Sequence, residues 1–454
     1  MAQINFPASL QMQAKQPSAP AQPLITRYRS DNPSYSAGDI IRIEIPTGGR
    51  NQYLLPIDSF LGFDFTPTFT ITAGSLSLDS SVYSIFRRAR VIHGSTVLVD
   101  VNHCGRLWNA LRDALVTSGN RQVDEIRLGN DSASNQVSAS NYTAGMVLTS
   151  TSTYDAGFCL PLPLVGSLSK TAIPLGLMGA SSLFIELEIA PYNTIITNRT
   201  FTNPQGTAGA NTTANPTLTS FVVSNIYYNA KIVTLDEPYN QALMSVYAGR
   251  PLMLPATDYI GEMKVIASGA TSINEKFAFS RSSVNGVLWW LSNSDVANGI
   301  PSSFNYAEGT SHRCAGALSE YNIAVSGTNL LSIYAGAHGT TNFFKGSTTV
   351  AQLGRIYNNL STIDGMGILN FRNYCSQLTT YADAIANSKR FVGAYSLERY
   401  DADSNYASGM NLVGQDVRLV VLLSAGLSAN HNLYGFCMSD VGYELIDGQL
   451  NLRS

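Results

Sequence analysis

One short sequence occurs twice in this chain, almost half the chain length apart. The copies are Leu55 to Gly62 (LPIDSFLG) and Leu254 to Gly261 (LPATDYIG). Both read Leu-Pro, three variable residues, an aromatic, an aliphatic and Gly. Proline is tolerated at the start or edge of a strand, an aromatic-aliphatic pair suits a half-buried strand, and glycine permits a bend. The repeat therefore predicts the entry strand of each of two similar β domains.

A second pair of similar segments closes each half of the chain in the same order. In the first half, the strand pattern Leu183–Ile189 is followed by a loop and the strand Ser224–Tyr228. In the second half, the strand pattern Val417–Leu423 is followed by a shorter loop and the strand Ser439–Tyr443. Repeated order is typical of internal duplication, so we predict one β domain present twice.

The composition favours an all-β protein of two domains. A chain of 454 residues exceeds one ordinary hydrophobic core. Charged residues make up 13% of the chain, half the usual ~25%. The polar remainder is rich in Ser, Thr, Asn and Gly, which favours long neutral loops. The net charge of −3 gives no general attraction to nucleic acid.

The cysteines and the apolar runs argue against several classes of protein. Five cysteines are scattered without a CxxC pair, which indicates buried free thiols in a reducing compartment. No apolar run approaches the ~18 residues of a membrane-spanning helix, and no secretory signal pattern is present. We expect a soluble chain that is not exported.

The segment 1–30 is predicted to be an extended arm. Its four prolines disfavour helix and strand, and its three basic side chains precede the first acidic residue, Asp31. Such a segment either becomes ordered on contact with a partner or is a tail without a role.

Strand patterns follow the arm. Ile40–Ile45 and Phe60–Thr72 alternate between apolar and polar residues, and Ser84–Val101 reads as a hairpin with a turn at His93-Gly94-Ser95. A turn is normally solvated, so we expect His93 to be exposed to water.

Two short helices are predicted within and directly after the first domain. The first follows Asn102 as its cap, and its apolar stripe would pack against a sheet: Cys104, Trp108, Leu111 and Leu115. The second is capped by Asp236 or Glu237, ends at Gly249 and links the domains. The resulting division is an arm at 1–30, a first domain at 31–236, a linker helix at 237–250 and a second domain at 251–454.

Long polar segments interrupt both domains. They are Thr117–Gly157, Asn193–Ser220 and Ser292–Asn370, all rich in small polar residues. Connections of this length inside a compact domain predict functional surface excursions.

No catalytic, metal or cofactor motif stands out. HExxH, GxSxG and Walker sequences are absent, and Gly365-Met366-Gly367 lacks the third glycine of a dinucleotide fingerprint. His103-Cys104 and His312-Arg313-Cys314 have no second ligand pair at metal-site spacing. We therefore predict no catalytic, cofactor-binding or metal-binding residues, no cofactor and no enzymatic activity.

Arg87, Arg88 and Arg90 form the densest basic cluster. Strand alternation places Arg88 and Arg90 on one face and Arg87 on the other. Three interpretations stay open: pairing with acids of a neighbouring subunit, contact with phosphate, or a solvated or locally paired strand face.

Three passages resemble the double jelly-roll major capsid proteins of the tectivirus–adenovirus lineage, which includes virophages and polinton-like viruses. Ser84–Leu115 resembles the strand-turn-helix passage of their first jelly roll, and Tyr228–Leu254 resembles the junction between their rolls. The strands around Leu419–Leu423 and Gly442–Leu445 resemble their closing pair.

The resemblance implies two tandem eight-stranded jelly rolls, with short helices in loops and between the rolls. It also implies a pseudo-hexameric homotrimer that tiles an icosahedral shell. The long loops would be towers on the outer face, and the arm would lie inside. The low charge suits large contacts between copies, because desolvating charge is costly.

We therefore predict a viral major capsid protein, located in the virion and made inside the host cell. Its partners would be further copies of itself, minor or penton capsid proteins, and an inner membrane or genome reached through the arm, without a specific nucleic-acid site. The alternative is a carbohydrate-binding or adhesive β-sandwich spike protein. An enzyme on a β scaffold is a third reading, but the sequence offers no acid–base or nucleophile set for it.

Overall fold

A computed structural model describes most of two β domains. The described residues are 21–49, 51–70, 75–78, 82–115, 147–148, 156–161, 172–179, 181–199, 217–247, 251–293, 318–330, 335–336, 393–397, 409–423, 426–427 and 430–453.

Each half of the described chain is built from antiparallel strands. The strands of the first half are β1 (Ala21–Arg29), β2 (Ser34–Ser36), β3 (Ile40–Ile45), β4 (Gln52–Thr70), β5 (Ser75–Leu78), β6 (Phe86–His93), β7 (Thr96–Asn102), β8 (Val147–Leu148), β9 (Ala156–Pro161), β10 (Leu183–Ile189), β11 (Ile196–Arg199) and β12 (Thr217–Leu235). The strands of the second half are β13 (Leu252–Ile266), β14 (Ser272–Phe277), β15 (Val284–Asn293), β16 (Leu318–Val325), β17 (Thr328–Asn329), β18 (Ala335–Gly336), β19 (Gly393–Ser396), β20 (Val417–Leu423), β21 (His431–Ile446) and β22 (Gln449–Arg453). The helices are α1 (Cys104–Leu115), α2 (Glu237–Tyr247) and the 3-10 helices Val82–Ile85 and Tyr192–Thr194.

The two halves have the same sheet topology. In the first, the strand orders are β1-β12-β4-β9 and β3-β10-β6-β7; in the second, they are β13-β21-β15-β19 and β14-β20-β16-β17. In roll order, the first strand of each half lies beside the closing strand (β1 beside β12, β13 beside β21). The next strand of the second sheet lies beside the strand that precedes the closing one (β3 beside β10, β14 beside β20). This is the eight-stranded jelly-roll arrangement, so the predicted fold of two tandem jelly rolls is confirmed. We call the halves roll 1 and roll 2.

The repeated Leu-Pro sequence does not mark equivalent strands. The second copy lies in β13, the first strand of roll 2, whereas the first copy lies in β4, which occupies the position of β15. The predicted duplication is right, but its register is wrong. The two copies share a different property: both are hydrogen-bonded to the closing strand of their roll, β12 or β21, from opposite sides.

The strand of roll 1 that is equivalent to β13 is β1. Ala21 to Arg29 pair with Leu235 to Tyr227 of β12, so the prediction that the prolines disfavour a strand in the 1–30 arm is wrong for this part. Pro23 is tolerated because β1 is an edge strand. We therefore place the start of roll 1 at Ala21. Residues 1–20 lie outside the described residues.

The helix between the rolls falls where the sequence predicts one. The carboxylate of Asp236 accepts a hydrogen bond from the backbone N–H of Glu237 at 3.0 Å, and the carbonyl of Asp236 accepts the N–H of Asn240. Tyr53 and Asn51 of roll 1 hydrogen-bond to Asn240 and hold α2 beside β4.

The cores follow the alternation of the strands. β10 and β20 bury every second residue, as their apolar-polar alternation predicts. In β15 the consecutive tryptophans face opposite sides. Trp289 meets Tyr321 of the facing sheet with ring centroids 5.0 Å apart, and Trp290 stacks on Phe436 on the outer side at 5.1 Å. Both indoles are fully buried, so the outer side of this sheet is covered as well.

The glycine that ends each Leu-Pro copy lies opposite an aromatic ring. Gly62 pairs with Tyr227 and Gly261 pairs with Phe436. A Cβ at Gly62 would overlap the Tyr227 ring, and a Cβ at Gly261 would overlap both the Phe436 ring and the backbone carbonyl of Asn102. The glycines are therefore needed for close approach and not for the predicted bend.

Gly261→Ala is expected to lower the free energy of unfolding by about 1–3 kcal/mol, because the added methyl meets a backbone carbonyl that cannot rotate away. Gly442→Ala is the matched control. Its Cβ would lie 2.9 Å from the terminal methyl of Met253, which can move, and 3.9 Å from the carbonyl of Arg453, an ordinary van der Waals distance, so we expect little loss. Urea unfolding of both variants measures the difference, and equal losses would contradict the account.

Candidate assembly surfaces

The two rolls meet through a contact that we call the joint: the β6–β7 hairpin and α1 of roll 1 against β13, β21 and β22 of roll 2. The contacts at one end of the joint are arranged around His93, which is completely buried. The Nδ1 atom of His93 accepts the N–H of Leu450 at 3.2 Å, and Nε2 lies 3.1 Å from the carbonyl of Ser181. Because Nδ1 is an acceptor, the neutral ring with the proton on Nε2 satisfies both partners.

Two further hydrogen bonds close the same end of the joint. The hydroxyl of Tyr443 donates to the carbonyl of Leu98 at 3.0 Å. The N–H of Gly179 donates to the carbonyl of Gly448 at 2.6 Å. Each of these bonds pairs a polar group of one roll with a group of the other, so the joint is directional as well as apolar.

The other end of the joint centres on Tyr434 of β21. The His103 ring meets the Tyr434 ring edge to face at 5.5 Å. Arg106 of α1 is buried, and its guanidinium donates to the carbonyl of Thr194 at 2.7 Å and hydrogen-bonds to the Tyr434 side chain. Burial lowers the pKa of Arg106, an effect that the Tyr434 contact opposes. Roll 2 therefore supplies one of the partners, Tyr434, of a cation that is buried in roll 1.

His93 and Asn102 do not behave as predicted. The prediction that His93 is solvated is wrong, because the β21–β22 hairpin, more than 350 positions away in the sequence, packs over the turn. Asn102 is the last residue of β7 and does not cap α1; His103, with φ of 57°, makes the turn into the helix. The residue that covers His93 belongs to the other roll, whereas the correction at Asn102 is local to β7 and the turn that follows it.

The predicted apolar stripe of α1 packs as expected where its side chains are described. Trp108 meets Tyr83 with ring centroids 5.4 Å apart, and the Cys104 thiol donates to the carbonyl of Phe86. Cys104 and Cys437 are free and buried, and burial raises the pKa of both thiols. They are therefore inert thiols, in agreement with the prediction. Leu111 and Leu115 lie in the helix, but their side chains are outside the described ones.

The arginine cluster is paired locally. Arg87 contacts Glu188 at 3.1 Å, Arg88 contacts Asp100 at 2.5 Å and Arg90 contacts Glu186 at 2.7 Å. The predicted face of Arg87 is wrong: the pairing of β6 with β10 shifts at Glu188, so Arg87 and Arg88 both point outward between buried Phe86 and Ala89.

The outer face of this sheet therefore carries a balanced set of ion pairs. Arg42 adds a contact to Glu186 at 3.7 Å and lies 4.0 Å over the Phe184 ring. Because the arginines have acidic partners within the same sheet, the local-pairing interpretation is favoured over a phosphate contact. Exposed pairs of this kind contribute little stability.

The edge strands of the two rolls differ in what covers them. In β13 the outer side of the central residues is covered by roll 1: Tyr259 and Gly261 are buried. No described residue covers the corresponding part of β1, where Leu24 and Ile25 are 58% and 64% exposed. Consecutive exposed apolar residues on an edge strand mark an interaction surface.

A polar cavity of about 410 Å³ lies beside the end of β1. Its lining includes Arg27, Arg29, Asp31 and Asp64, and the Arg27 guanidinium lies 4.2 Å from the centre of the Tyr227 ring. Two cations and two carboxylates balance one another, so the cavity offers no net charge to an ionic ligand.

The remaining candidates from the sequence contribute no site in the described part of the chain. There, no three His, Cys, Asp or Glu residues lie close enough together to hold a metal ion. Among the described helices, none has the length and apolarity needed to cross a bilayer. His312-Arg313-Cys314, Gly365-Met366-Gly367, and most of the three long polar segments lie outside the described residues.

Solved structures of viral capsid proteins share this architecture. A chain of the Sputnik virophage superposes with a TM-score of 0.58 at 11% identity, covering 100% of this chain and 93% of the other. The Faustovirus major capsid protein gives 0.53 at 9% identity, with coverage of 100% and 93%. The mavirus major capsid protein gives 0.51 at 8% identity, with coverage of 100% and 91%.

The chain thus has the double jelly-roll fold of these major capsid proteins, over essentially their whole length. No family model and no curated relative matches the sequence.

Proposed function

We propose that this protein is a viral major capsid protein whose chains form pseudo-hexameric trimers that tile an icosahedral shell. The observation that carries the proposal is the joint between two rolls of identical topology. The joint is heterologous: roll 1 uses its β6–β7 hairpin, and roll 2 uses its first and last strands. Heterologous contacts between equivalent units close into rings when the rotation allows it, and six rolls from three chains make such a ring.

The surface chemistry supports repeated association. Only 13% of the residues are charged, and the ion pairs of the outer sheet of roll 1 are already neutralised. A neutral, polar and aromatic surface can be buried in many contacts without a large desolvation cost. The protein would therefore act in the virion as a self-associating structural component, with no enzymatic role.

Electron microscopy of the expressing sample tests this function directly. The proposal expects hexagonal capsomers that assemble into closed shells or flat arrays. A carbohydrate-binding spike would instead give dispersed particles and strong, saturable signals on a glycan array. Saturable glycan binding without any ordered assembly would overturn the capsid proposal.

We further propose that residues 1–20 face the interior of the shell, toward a membrane, the genome or a minor capsid protein. Deleting them is expected to leave the trimer intact and to reduce the yield of closed shells, because β1 begins only at Ala21. The control is an alanine replacement of the single basic residue in this stretch, Lys15. Sedimentation measures the trimer and negative-stain counting measures the shells. An unchanged shell yield would contradict this role.

A further inference from the structure

The polar cavity beside the end of β1 forms where the edge of a sheet changes its strand. β12 pairs with β2 up to Ser224 and with β1 from Tyr227 onward, so Asn225 and Ile226 lie at the gap between the two edge strands. Asn225 has a positive φ of 50°, and the pairing of β12 with β4 shifts at the same place. A bulge of this kind redirects the side chains around it, here into the wall of the cavity.

Part of the cavity wall is held in place by the fold. The Arg27 guanidinium lies 4.2 Å from the centre of the Tyr227 ring, and its Nε atom donates to the carboxamide oxygen of Asn229 at 3.3 Å. The carboxamide of Asn225 donates to the carboxylate of Asp64 at 2.6 Å. These contacts fix a planar donor group and an acceptor group before a ligand arrives, which lowers the entropic cost of binding.

Three other side chains of the wall have no partner in the described part of the chain. Among the lysines and arginines whose side chains the structure describes, Arg29 alone makes no ion pair, hydrogen bond or ring contact. The carboxylate of Asp31 and the carboxamide of Asn32 also form no hydrogen bond with a described residue. Arg29 and Asp31 line the same cavity without pairing with each other, so both are available to a ligand.

The mixture of groups selects the chemical class of that ligand. An anion would meet the carboxylates of Asp31 and Asp64, and a cation would meet the guanidiniums of Arg27 and Arg29. An apolar ligand would take these groups out of water without a hydrogen-bond partner. A small zwitterion has one charge of each sign and would leave the second arginine and the second aspartate unserved. A hydroxyl both donates and accepts, so a ligand with several hydroxyls serves all four groups.

We propose that this cavity binds a neutral saccharide. Arg29, Asp31 and Asn32 supply hydrogen bonds to its hydroxyls, and the Arg27 guanidinium stacked on Tyr227 forms a flat wall beside the sugar ring. The volume of about 410 Å³ lies within the range of small-molecule sites. The cavity has no part in the joint, so the site adds ligand binding to the proposed capsid role.

Titration of the purified full-length chain with neutral sugars tests the proposal. The probes are glucose, galactose, mannose, N-acetylglucosamine and lactose, and binding is followed by saturation-transfer NMR and calorimetry. We expect saturable binding of at least one probe. Arg29→Met is expected to weaken that binding at least about tenfold, because the sugar loses a charge-assisted hydrogen bond. Asp31→Asn, which keeps the size of the side chain and removes its charge, should weaken the binding as well.

Controls separate a loss of binding from a loss of structure. Arg29 has no described partner, so Arg29→Met should keep the urea unfolding midpoint of wild type. Arg453→Met is the matched control, because it removes an exposed arginine of β22 that lies outside the cavity. It should bind the sugar as wild type does. A loss in either cavity variant that Arg453→Met does not share locates the sugar in the cavity.

Three outcomes would overturn the proposal. The first is the absence of saturable binding by every probe. The second is binding that both Arg29→Met and Asp31→Asn leave unchanged, which would place the sugar elsewhere. The third is displacement of the sugar by inorganic phosphate or free glycine, which would show an ionic site. None of these outcomes bears on the proposed capsid function. Sugar binding by a chain that forms no ordered assembly would instead contradict that function and leave this proposal standing.

Discussion

Replacing Arg281 with methionine is expected to lower the free energy of unfolding by about 3–5 kcal/mol, because it leaves a buried carboxylate without its partner. The carboxylate belongs to Asp258 of β13, which is 2% exposed. Its Oδ2 atom lies 2.7 Å from the Arg281 guanidinium. Burial raises the pKa of Asp258, and the guanidinium opposes this shift.

The pH dependence of the loss identifies its cause. Without Arg281 the pKa of Asp258 in the folded chain rises further above that of the unfolded chain. A raised folded pKa means that stability is retained below the unfolded pKa and is lost as the pH rises through the folded pKa. The deficit of Arg281→Met relative to wild type should therefore be larger at pH 7 than at pH 4.

Two further variants complete this experiment, which is read by urea unfolding at both pH values. Asp258→Asn combined with Arg281→Met should recover much of the loss, since no buried charge remains. Arg453→Met removes an exposed pair with Glu444 and should cost less than about 1 kcal/mol. A loss for Arg281→Met that is the same at both pH values, and is not relieved by Asp258→Asn, would contradict the account.

Acidification is expected to weaken the joint through two histidines. Burial lowers the pKa of His93, although its contact with the Ser181 carbonyl opposes the shift. Burial, followed by the nearby charge of Arg87, lowers the pKa of His103 from 6.5 to about 4. Protonated His93 would also present an N–H to the N–H of Leu450 and lose that hydrogen bond.

The direction of the effect follows from proton uptake. Between pH 6.5 and about 4, His103 becomes protonated in the unfolded chain while it stays neutral in the folded chain, and the lowered pKa of His93 acts in the same direction. The free energy of unfolding therefore falls as the pH falls through this window. His103 alone accounts for roughly 3 kcal/mol at about 1.4 kcal/mol per unit of pKa.

Comparing wild type with a variant that lacks both histidines measures their contribution to the pH dependence of the free energy of unfolding. Wild type and the double variant His93→Gln and His103→Asn are unfolded in urea at several pH values between 7 and 4. The difference between them should shrink or reverse on acidification, because only wild type carries the two groups. Parallel pH profiles would contradict the proposed contribution of these histidines.

Local patterns in the sequence predicted where the strands and helices lie better than they predicted which residues those strands and helices contact. Alternation identified β3, β10 and β20, and helix signals identified α2, because each depends on neighbours within a few residues. The duplication of one β domain followed from the repeated order of strands, the all-β class from the composition, and the jelly-roll fold from the resemblance to capsid proteins. These inferences needed no knowledge of what each strand contacts.

Three of the errors arise where residues distant in the sequence determine the outcome. His93 was assigned to water because its own turn is polar, yet β22 covers it. Arg87 was assigned to the wrong face because a shift in pairing with β10 cannot be read from β6 alone. Segment 21–29 was assigned to the arm because Pro23 disfavours a central strand, whereas its true position is an edge.

The Leu-Pro repeat shows both a correct prediction from a local pattern and an error caused by distant contacts. It indicated duplication correctly, but its copies lie at different positions of the two rolls, in β4 and β13. What they share is a glycine opposite an aromatic residue of the closing strand, Tyr227 or Phe436. Packing against a closing strand can produce similar sequences in strands that are not equivalent.

Sedimentation of the purified full-length chain over a wide range of concentration tests the central claim most directly. The account predicts a stable species of three times the 48.8 kDa of one chain, with no accumulation of dimers, because a heterologous ring gains its last contact only on closure. A single monomeric species that persists at high concentration would contradict it.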